Sequence, residues 1–263
     1  MPKPYYTSQD EKFTLFSGDC VELLPKLNVK ADLVFADPPY FLSNDGFTIK
    51  SGKVANVNKG DWDKKANHLS TFHFAQQWLE AVRGVMSDSA TIWISCTMHN
   101  LFDTGSALEK LGFKILNIVT WQKTNPPPNL ACRYFTHSAE HIIWARKHPK
   151  KAHFFNYELM KSVNQGKQMK DVWTMPAVSK KETTFGKHPT QKPLALLSRI
   201  ILASSQDGDL VLDPFTGSST TGIAANMHNR RFVGTDVTPE YLELSIRRKE
   251  GLDASNQQQS MLL

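Results

Sequence analysis

Short apolar runs alternate with longer amphipathic stretches along most of this chain. Residues 33–36, 91–95 and 209–212 are mostly apolar and have the length of strands, whereas apolar residues recur at helical spacing in residues 70–86 and 194–203. Strands that alternate with helices are typical of a mostly parallel sheet with helices packed on its faces. The pattern therefore predicts the α/β class.

The beginning of the chain predicts a β-α-β unit. Residues 13–16 and 33–36 resemble strands, and residues 21–27 between them carry leucines at helical spacing. We expect the two strands to be parallel neighbours in the sheet. Asp19 follows the first strand and Asp37 the second, and ligands of open parallel sheets bind at the carboxyl ends of strands. Asp19 either binds a ligand or caps the following helix, and the sequence leaves both roles open.

The middle of the chain continues this alternation. Residues 101–111 predict a helix that ends at Gly112, because glycine commonly follows a helix C-terminus. Residues 114–121 and 140–145 predict two strands that pair antiparallel to each other.

The end of the chain predicts one more strand and one more helix. Residues 231–235 form the strand, which ends at Asp236. Thr238 is a suitable N-cap for the last helix, and Gly251 is expected to lie beyond its end. Residues 252–263 are polar and are expected to form a flexible tail.

The tetrapeptide Asp37-Pro38-Pro39-Tyr40 is an unusual end for a buried strand. Prolines fix φ and have no N–H, so the backbone is rigid and its carbonyls have no local partner. On a planar base with an exocyclic amino group, Asp37 and the Pro38 carbonyl can each accept one amino hydrogen while Tyr40 stacks on the base. Both acceptors would draw the nitrogen toward a tetrahedral shape and free its lone pair for attack. The alternative is an ordinary proline-rich loop, and the tetrapeptide alone does not decide between them.

Residues 213–222 predict a nucleoside site. A strand ends at Asp213, a turn rich in Gly, Ser and Thr follows it, and Asp236 ends the next strand roughly 20 residues on. Small residues permit close approach to the backbone, and the second acid suits ribose hydroxyls. Ser219 replaces the second glycine of the dinucleotide pattern, and the P-loop lysine is absent. The turn therefore favours a nucleoside without phosphates, such as S-adenosylmethionine.

The charge distribution favours a polyanion as partner. The 263 residues carry a formal net charge of +6, but residues 146–192 alone contain eleven Lys/Arg and three Asp/Glu, a balance of +8. Aromatic residues are interleaved there, which suits phosphates and bases, although a solvated lysine-rich surface with a small aromatic core is the alternative. The candidate DNA contacts are Lys123, Arg133, Lys147, Lys150, Lys151, Lys180 and Lys181.

Composition narrows the remaining classes. Hydrophobic residues make up 40% of the chain, enough for a sizeable core, but no apolar stretch approaches the ~20 residues of a membrane span. Cys20, Cys96 and Cys132 are far apart, so neither a disulfide framework nor a metal site is expected, and the cytoplasm is the expected compartment.

Residues 41–63 predict a long loop able to close over a substrate, with Trp62 as a hinge anchor or a packed ring.

Together these motifs resemble the β-class amino-methyltransferases of restriction–modification systems, in which the catalytic motif precedes the cofactor motif. The resemblance extends from about Phe13 to Lys249 and is strongest to adenine methyltransferases of the Dpn type, which accompany endonucleases that cut GATC. It rests on Asp-Pro-Pro-Tyr at 37–40, His-Pro-Thr-Gln-Lys-Pro at 188–193, Asp-Pro-Phe-x-Gly-Ser at 213–218, and residues 35–44, 60–63 and 120–126.

The resemblance implies a Rossmann-like S-adenosylmethionine-dependent methyltransferase fold, circularly permuted around a mostly parallel seven-stranded sheet. It implies a single domain over residues 1–263, with residues 146–187 as an inserted target-recognition region. It also implies methyl transfer to adenine N6 in DNA, because Asp-Pro-Pro-Tyr usually marks adenine N6 in this family and Ser-Pro-Pro-Tyr marks cytosine N4. Cytosine N4 methylation, an RNA target and a catalytically silent DNA-binding regulator remain alternatives. Single- or double-stranded DNA and a homodimer are also left open.

The family pattern also implies which residues contact the cofactor. It places Asp236 on the ribose, Phe215 and Gly217 near the adenosine, and Asp19 and Cys20 at the adenine edge. The remaining predicted contacts are Thr190 and Lys192 toward the methionine end, with Asp37, Asp213, Ser218 and Ser219.

Ser219 is a departure from the family pattern, which usually reads Gly-Ser-Gly-Thr-Thr. This chain reads Gly-Ser-Ser-Thr-Thr at residues 217–221. Serine at this position costs little free energy if its φ is negative, but it crowds the cofactor if φ must be positive.

Overall fold

The structure is a computed structural model that describes residues 2–40, 47–50, 53–56, 70–126, 128–129 and 132–260. The strands are β1 (Tyr6–Thr7), β2 (Phe13–Ser17), β3 (Ala31–Ala36), β4 (Phe47–Lys50), β5 (Lys53–Asn56), β6 (Met86–Cys96), β7 (Lys114–Lys123), β8 (Ala139–Arg146), β9 (Val172–Met175), β10 (Leu210–Asp213) and β11 (Arg231–Asp236). The helices are α1 (Cys20–Leu23), α2 (Thr71–Val85), α3 (Leu101–Lys110), α4 (Tyr157–Val163), α5 (Leu194–Ser204), α6 (Thr220–Met227) and α7 (Pro239–Ser260). Within the predicted loop 41–63, β4 and β5 pair antiparallel, while its other residues, including Trp62, lie outside the described residues.

Nine strands of the described chain form one sheet in the order β1-β2-β11-β10-β3-β6-β8-β7-β9. From β2 to β7 the sheet has seven strands, and only β8 runs antiparallel to its neighbours. The predicted fold class is therefore confirmed. The predicted strand count is too low because the short strands β1 and β9 extend the two edges.

The first two predicted strands are parallel, but they are not neighbours. β11 and β10 lie between β2 and β3, so the expectation of adjacent strands is wrong. The central places are occupied by strands from the C-terminal part of the chain, as circular permutation requires. The predicted antiparallel pairing of 114–121 with 140–145 is confirmed by β7 and β8.

Helices cover both faces of the sheet. Alternate residues of β3 point to opposite faces: Val34 packs in the cluster that contains α2 and α3, and Leu33 in the cluster that contains α5 and α6. Trp78 of α2 and Ile200 of α5 are buried in these two layers, as their helical spacing predicts. No helix in the described ranges is long and apolar enough to cross a membrane.

The last helix is longer than the sequence predicts. α7 continues through Gly251 to Ser260, so the expectation of a helix end and a tail from residue 252 is wrong as far as residue 260. Gly251 is needed for packing instead, because a Cβ there would lie 2.2 Å from Cζ of Phe185. The ring of Phe185 thus packs directly on the backbone of α7.

The centre of the sheet contains a topological switch point. β3 and β10 are neighbours, with Leu33 paired to Val211 and Val34 paired to Leu212. The chain leaves β3 toward β6 on one side and leaves β10 toward β11 on the other side. Connections that diverge in this way open a crevice at the carboxyl ends of the two strands, where ligands of α/β proteins bind.

Candidate active site

The catalytic and cofactor motifs meet in one cavity. Asp37 follows β3 and Asp213 ends β10, and both line a cavity at the switch point that encloses about 1050 Å³, part of it open to solvent. Phe215 and Asp236 line the same cavity. The convergence of two motifs that are distant in sequence is therefore a property of the fold.

Asp37 is held by two side chains. Tyr40 donates its hydroxyl to Asp37 Oδ1 at 2.5 Å, and Lys192 Nζ lies 2.5 Å from Asp37 Oδ2. The Tyr40 hydroxyl is also 2.8 Å from Ser95 Oγ on β6. Burial and the neighbouring Asp37 carboxylate raise the pKa of Tyr40 well above its ordinary value, so the phenol keeps its proton. The carboxylate is therefore fixed in orientation by one hydroxyl and one ammonium.

Lys192 is shared between two carboxylates. Its Nζ lies 2.5 Å from Asp37 and 3.7 Å from Glu140 Oε2, and Lys123 lies 2.5 Å from Glu140 Oε1. Burial alone would lower the pKa of Lys192, but the carboxylates of Asp37 and Glu140 outweigh burial and raise it. The four residues form a partly buried chain of alternating charges that runs from Asp37 to the end of β7.

The turn after β10 is bound to Asp236 and to α7. Asp236 Oδ2 accepts the N–H of Gly217 at 2.8 Å, and its Oδ1 accepts the N–H of Thr238 at 2.8 Å. Burial raises the pKa of Asp236, although these backbone donors oppose the shift. Arg248 of α7 donates to Ser218 Oγ at 3.0 Å from beneath the turn.

Gly217 has a positive φ of 48° and touches a histidine ring. A Cβ at this glycine would lie 2.9 Å from Nε2 of His188, so any other residue strains the backbone and requires His188 or the turn to move. His188 packs edge-on against Tyr241, with ring centroids 4.2 Å apart, and both line the cavity. Burial, followed by the charges of Lys192 and Arg248, lowers the pKa of His188 to about 3, so the imidazole is neutral at physiological pH.

Asp213 and Ser219 shape the turn from inside the protein. Asp213 accepts the Phe215 N–H at 3.0 Å and the Thr221 hydroxyl at 2.6 Å, and burial raises its pKa to about 7. Ser219 has a φ of 54°, the unfavourable case for a serine, and its hydroxyl lies 2.8 Å from that of Thr216. The cavity is lined by Gly217, Ser218 and Thr220 but not by Ser219, so the serine strains the backbone without crowding the cavity.

The remaining predicted cofactor residues lie at the cavity. Asp19 caps α1 by accepting the Val21 N–H at 2.8 Å and also lines the cavity, so both roles left open by the sequence are compatible with its position. Cys20, Thr190 and Lys192 line the cavity as well, and burial raises the pKa of the Cys20 thiol. Phe215 is oriented by Trp78, at a ring separation of 5.3 Å.

Two members of the predicted catalytic tetrapeptide are set back from the cavity. Pro39 lines it with Asp37, whereas Pro38 and Tyr40 are buried and do not line it. Lys192 Nζ lies 5.5 Å from the centroid of the Tyr40 ring. Stacking of Tyr40 on a base therefore stays a prediction, while its hydroxyl already orients Asp37.

The predicted DNA contacts separate into two groups. Lys147 Nζ donates a hydrogen bond to the Met86 carbonyl, at the opposite end of the strands from Asp37. Lys147 and Lys151 also form ion pairs with Asp88 at that end, and Lys150 lies in the same turn. These residues are not brought to the site. The others are near the cavity end of the sheet: Lys123 in the charge chain, Arg133 exposed in the loop after β7, and Lys180 and Lys181 in the turn before α5.

Several site residues carry no motif that sequence analysis could use. Ser95 and Glu140 lie inside strands whose pattern signals only burial, and Arg248 lies on a helix with weak amphipathicity. His188 was visible as the first residue of His-Pro-Thr-Gln-Lys-Pro, but its contact with Gly217 depends on the tertiary fold. Among the described residues, no group of three His, Cys, Asp or Glu side chains is placed to hold a metal ion.

Comparison with known proteins identifies the family. The family model N6_N4_Mtase, described as DNA methylase, matches residues 31–247. The chain is 54% identical over 247 residues to the type II methyltransferase M2.MboI of Moraxella bovis, covering 94% of this chain and 90% of that protein. It is 52% identical over 258 residues to the type II methyltransferase M2.DpnII of Streptococcus pneumoniae, covering 97% and 96%.

Solved structures agree with this assignment. The M1.HpyAVI–SAM complex superimposes with a TM-score of 0.68 at 26% identity, over 90% of this chain and 98% of that chain. The cytosine-N4-specific PvuII DNA methyltransferase gives a TM-score of 0.73 at 18% identity, over 94% and 89%, a likeness of fold alone. The predicted methyltransferase fold and enzyme class are confirmed, and the chain belongs to the family of N6/N4 DNA methylases.

Proposed function

We propose that this protein transfers a methyl group from S-adenosylmethionine to the N6 amino group of adenine in DNA, as the modification enzyme of a type II restriction–modification system. The observation that carries the proposal is the single cavity lined both by Asp37 and by the turn around Gly217. The names of the relatives as type II methyltransferases support the biological setting. DNA as substrate makes the cytoplasm the expected compartment.

The cavity suits S-adenosylmethionine. Asp236 offers a carboxylate for ribose hydroxyls, and Gly217 keeps the turn free of a side chain where the nucleoside must approach the backbone. Phe215 provides an aromatic face for the adenosine, and Asp19 with Cys20 would contact the adenine edge. When bound, S-adenosylmethionine supplies an electrophilic methyl group.

The role of Asp37 follows from the acceptor sites that the described residues leave open. An ionised carboxylate has about four lone-pair sites, and Tyr40 and Lys192 occupy two of those of Asp37. An amino hydrogen of the target base can use another. Acceptance of the second hydrogen by the Pro38 carbonyl stays a prediction, because Pro38 does not line the cavity. The cation at Lys192 keeps Asp37 oriented toward the cavity, and the neutral phenol of Tyr40 fixes the other oxygen. Much of the rate would come from this alignment, because a leaving thioether needs no acid.

Lys192 has a second carboxylate within reach, which can make one more acceptor site of Asp37 available to the substrate. When an amino group donates to Asp37, Lys192 can move toward Glu140, which is already 3.7 Å away. The charge balance of the site is preserved because Glu140 also holds Lys123. Glu140 would therefore be a positioning residue that stabilises Lys192 while substrate is bound.

The DNA surface is proposed at the cavity end of the sheet. Lys180 and Lys181 are exposed, and their turn is tied to α5 because Glu182 accepts the Leu194 N–H at 2.7 Å. Residues 146–187, the proposed target-recognition region, contribute this turn. Phosphate contacts from Lys180 and Lys181 should weaken with log salt, and loss of each should reduce the salt slope by about one.

Nucleoside mass spectrometry tests the function. Plasmid DNA treated with the enzyme and S-adenosylmethionine should contain N6-methyladenine, whereas N4-methylcytosine or methylated RNA would replace the proposal with one of its rivals. Asp37→Asn should lower methyl transfer by at least about 100-fold, since it removes a preorganised charged acceptor, while cofactor affinity stays within about tenfold. Asp88→Asn is the matched control, because Asp88 also pairs with lysines but at the opposite end of the strands.

Calorimetry with S-adenosylmethionine tests the alternative that the protein is a catalytically silent DNA-binding regulator. DNA binding without measurable binding of S-adenosylmethionine would favour it over the enzyme. Gel filtration with light scattering in the same preparation determines whether the protein is a monomer or a homodimer.

A further inference from the structure

The loop between β7 and β8 exposes two aromatic side chains. Phe135 is 96% exposed and Tyr134 is 61% exposed. Burial of a phenyl ring is favourable by about 25 cal/mol for each Å² of apolar surface removed from water. An exposed ring lacks this stabilisation until a partner covers it. The aromatic residues of the basic region are less exposed: Trp173 is buried, and Phe155, Tyr157 and Phe185 are 42%, 40% and 47% exposed.

The described residues of the loop are held by contacts at its base and next to the two rings. The Lys123 N–H donates to the Ser138 carbonyl at 2.8 Å, where the loop leaves and rejoins the sheet. Asn129 Nδ2 donates to the Tyr134 carbonyl at 2.6 Å, and the Tyr134 and His137 rings are 5.4 Å apart. The exposed rings are therefore presented by a braced loop.

The loop emerges at the end of the sheet that contains Asp37. β7 is parallel to β3 and β6, so its last residue, Lys123, lies at their carboxyl ends. Lys123 is then connected to Asp37 through Glu140 and Lys192, by contacts of 2.5, 3.7 and 2.5 Å. The base of the loop is therefore linked to Asp37 by a chain of ion pairs.

The charge of the loop indicates which class of molecule can bind there. Residues 124–138 contain no Asp or Glu, and Arg133 is exposed beside the two rings. A stretch that combines cationic and aromatic side chains without acids is suited to phosphates and base faces. This chemistry favours a nucleic acid over an apolar protein surface.

We propose that residues 133–137 form a DNA-stacking tip in which Phe135 and Tyr134 pack on bases next to the target and Arg133 contacts a phosphate. This inference rests on the proposed function and adds the surface that holds DNA while the target base leaves the stack. Extrusion of a base costs a few kcal/mol, and new stacking partners for its neighbours offset that cost.

Fluorescence anisotropy with a labelled oligonucleotide, as single strand and as duplex, tests the tip. Phe135→Ala should weaken DNA binding by about tenfold, the usual effect of losing one stacked base, without changing the salt slope. Arg133→Ala should instead reduce the salt slope by about one, since it removes a phosphate contact. Tyr157→Ala is the control, because Tyr157 is also an aromatic residue and is 40% exposed. It begins α4, which is hydrogen-bonded to the C-terminal end of α5, away from Lys192 and the cavity.

Two results would overturn the proposal. DNA affinity that stays at the wild-type value in both Phe135→Ala and Tyr134→Ala would remove the stacking role. A change in oligomeric state in gel filtration would assign the rings to contact with a second copy of the chain. Because binding is measured without methyl transfer, a wild-type protein that binds DNA but does not methylate it would refute the proposed function while leaving the tip intact. Cofactor affinity by calorimetry should be unchanged in every variant.

Discussion

Lys192 Nζ lies 2.5 Å from Asp37 Oδ2, although the two residues are 155 positions apart in sequence. The pair joins two motifs that the sequence presents separately, and Lys192 is only 6% exposed. Breaking a buried ion pair by removing one partner typically costs 3–5 kcal/mol, because the other charge is left uncompensated. Lys192 therefore contributes both to folding and to the orientation of Asp37.

Replacing Lys192 should separate these two contributions. Lys192→Met is expected to lower the free energy of unfolding by ~3 kcal/mol and methyl transfer by about 100-fold in the protein that remains folded. Lys192→Arg keeps the charge and should recover most of the stability but less of the activity, since its planar fork differs from an ammonium. Urea unfolding and methyl transfer are measured in parallel, with Lys150→Met at the opposite end of the strands as control. Wild-type turnover in Lys192→Met would show that Asp37 does not depend on it.

Glu140 should be energetically coupled to Lys123. Glu140→Gln keeps the shape of the side chain but removes the charge between two lysines. We expect methyl transfer to fall by about tenfold, less than the roughly 100-fold or more lost with a group that transfers a proton itself, because Glu140 acts only through Lys192. The single variants Glu140→Gln and Lys123→Met and the double variant complete a cycle in urea unfolding. A coupling of about 1–3 kcal/mol is expected for residues in one buried network, whereas strictly additive effects would contradict the network.

The sequence predicts the parts of this site that lie at strand ends. Asp37 and Asp236 each follow an apolar run, and parallel strands bring their carboxyl ends to one edge, so their convergence could be anticipated. Glu140 was not anticipated, because the sequence predicts that β7 and β8 are antiparallel to each other but does not indicate which of them is parallel to β3; β8 is the antiparallel one and brings its first residues to that edge. The neighbours of β3 in the sheet could not be predicted either. Nothing in residues 13–36 indicates that two strands from residues 210–236 insert between β2 and β3.

Ser219 shows where local chemistry depends on the folded backbone. The serine has a φ of 54°, for which glycine is preferred by about 1 kcal/mol, but its hydroxyl contacts that of Thr216 at 2.8 Å. Ser219→Gly relieves the strain, loses the hydrogen bond and gains chain entropy in the unfolded state, so we expect a change in unfolding free energy of less than ~1 kcal/mol.

Cofactor affinity should be unaffected by Ser219→Gly, because Ser219 does not line the cavity. Isothermal titration calorimetry with S-adenosylmethionine measures this directly. A clearly tighter complex in the variant would mean that the serine does crowd the cofactor.

Gly217→Ala, unlike Ser219→Gly, should weaken the binding of the cofactor. The position has a φ of 48°, and a Cβ would lie 2.9 Å from His188 Nε2 on the wall of the cavity. The added methyl either displaces His188 or moves the turn away from Asp236, so cofactor affinity should fall by at least about tenfold, the equivalent of 1.4 kcal/mol of misfit. Gly208→Ala is the control, since Gly208 also has a positive φ but nothing within 4 Å of its Cβ position. Equal cofactor affinity in the two variants would show that the close approach at Gly217 is not needed.

Asp213 should make stability depend on pH. Burial raises its pKa to about 7 in the folded protein, whereas an unfolded aspartate titrates near about 3.9. Between these values the folded state binds more protons than the unfolded state, so this group's contribution to stability is complete below about pH 4 and is lost as the pH rises to about 7. At about 1.4 kcal/mol for each pKa unit, the loss is on the order of 4 kcal/mol at most.

Asp213→Asn tests this assignment because asparagine keeps an acceptor for Thr221 but does not titrate. Urea unfolding between pH 5 and pH 8 should show the variant gaining stability relative to wild type as the pH rises, by at most about 3 kcal/mol, the part of the predicted loss that falls between pH 5 and about pH 7. Asp88→Asn is the control, and its difference from wild type should not change over this range: pairing with Lys151 lowers the pKa of Asp88, so this carboxylate is ionised in both the folded and the unfolded state above pH 5. A difference between Asp213→Asn and wild type that stays constant over this range would mean that Asp213 is ionised in the folded protein throughout, and that the turn around Gly217 tolerates a buried charge.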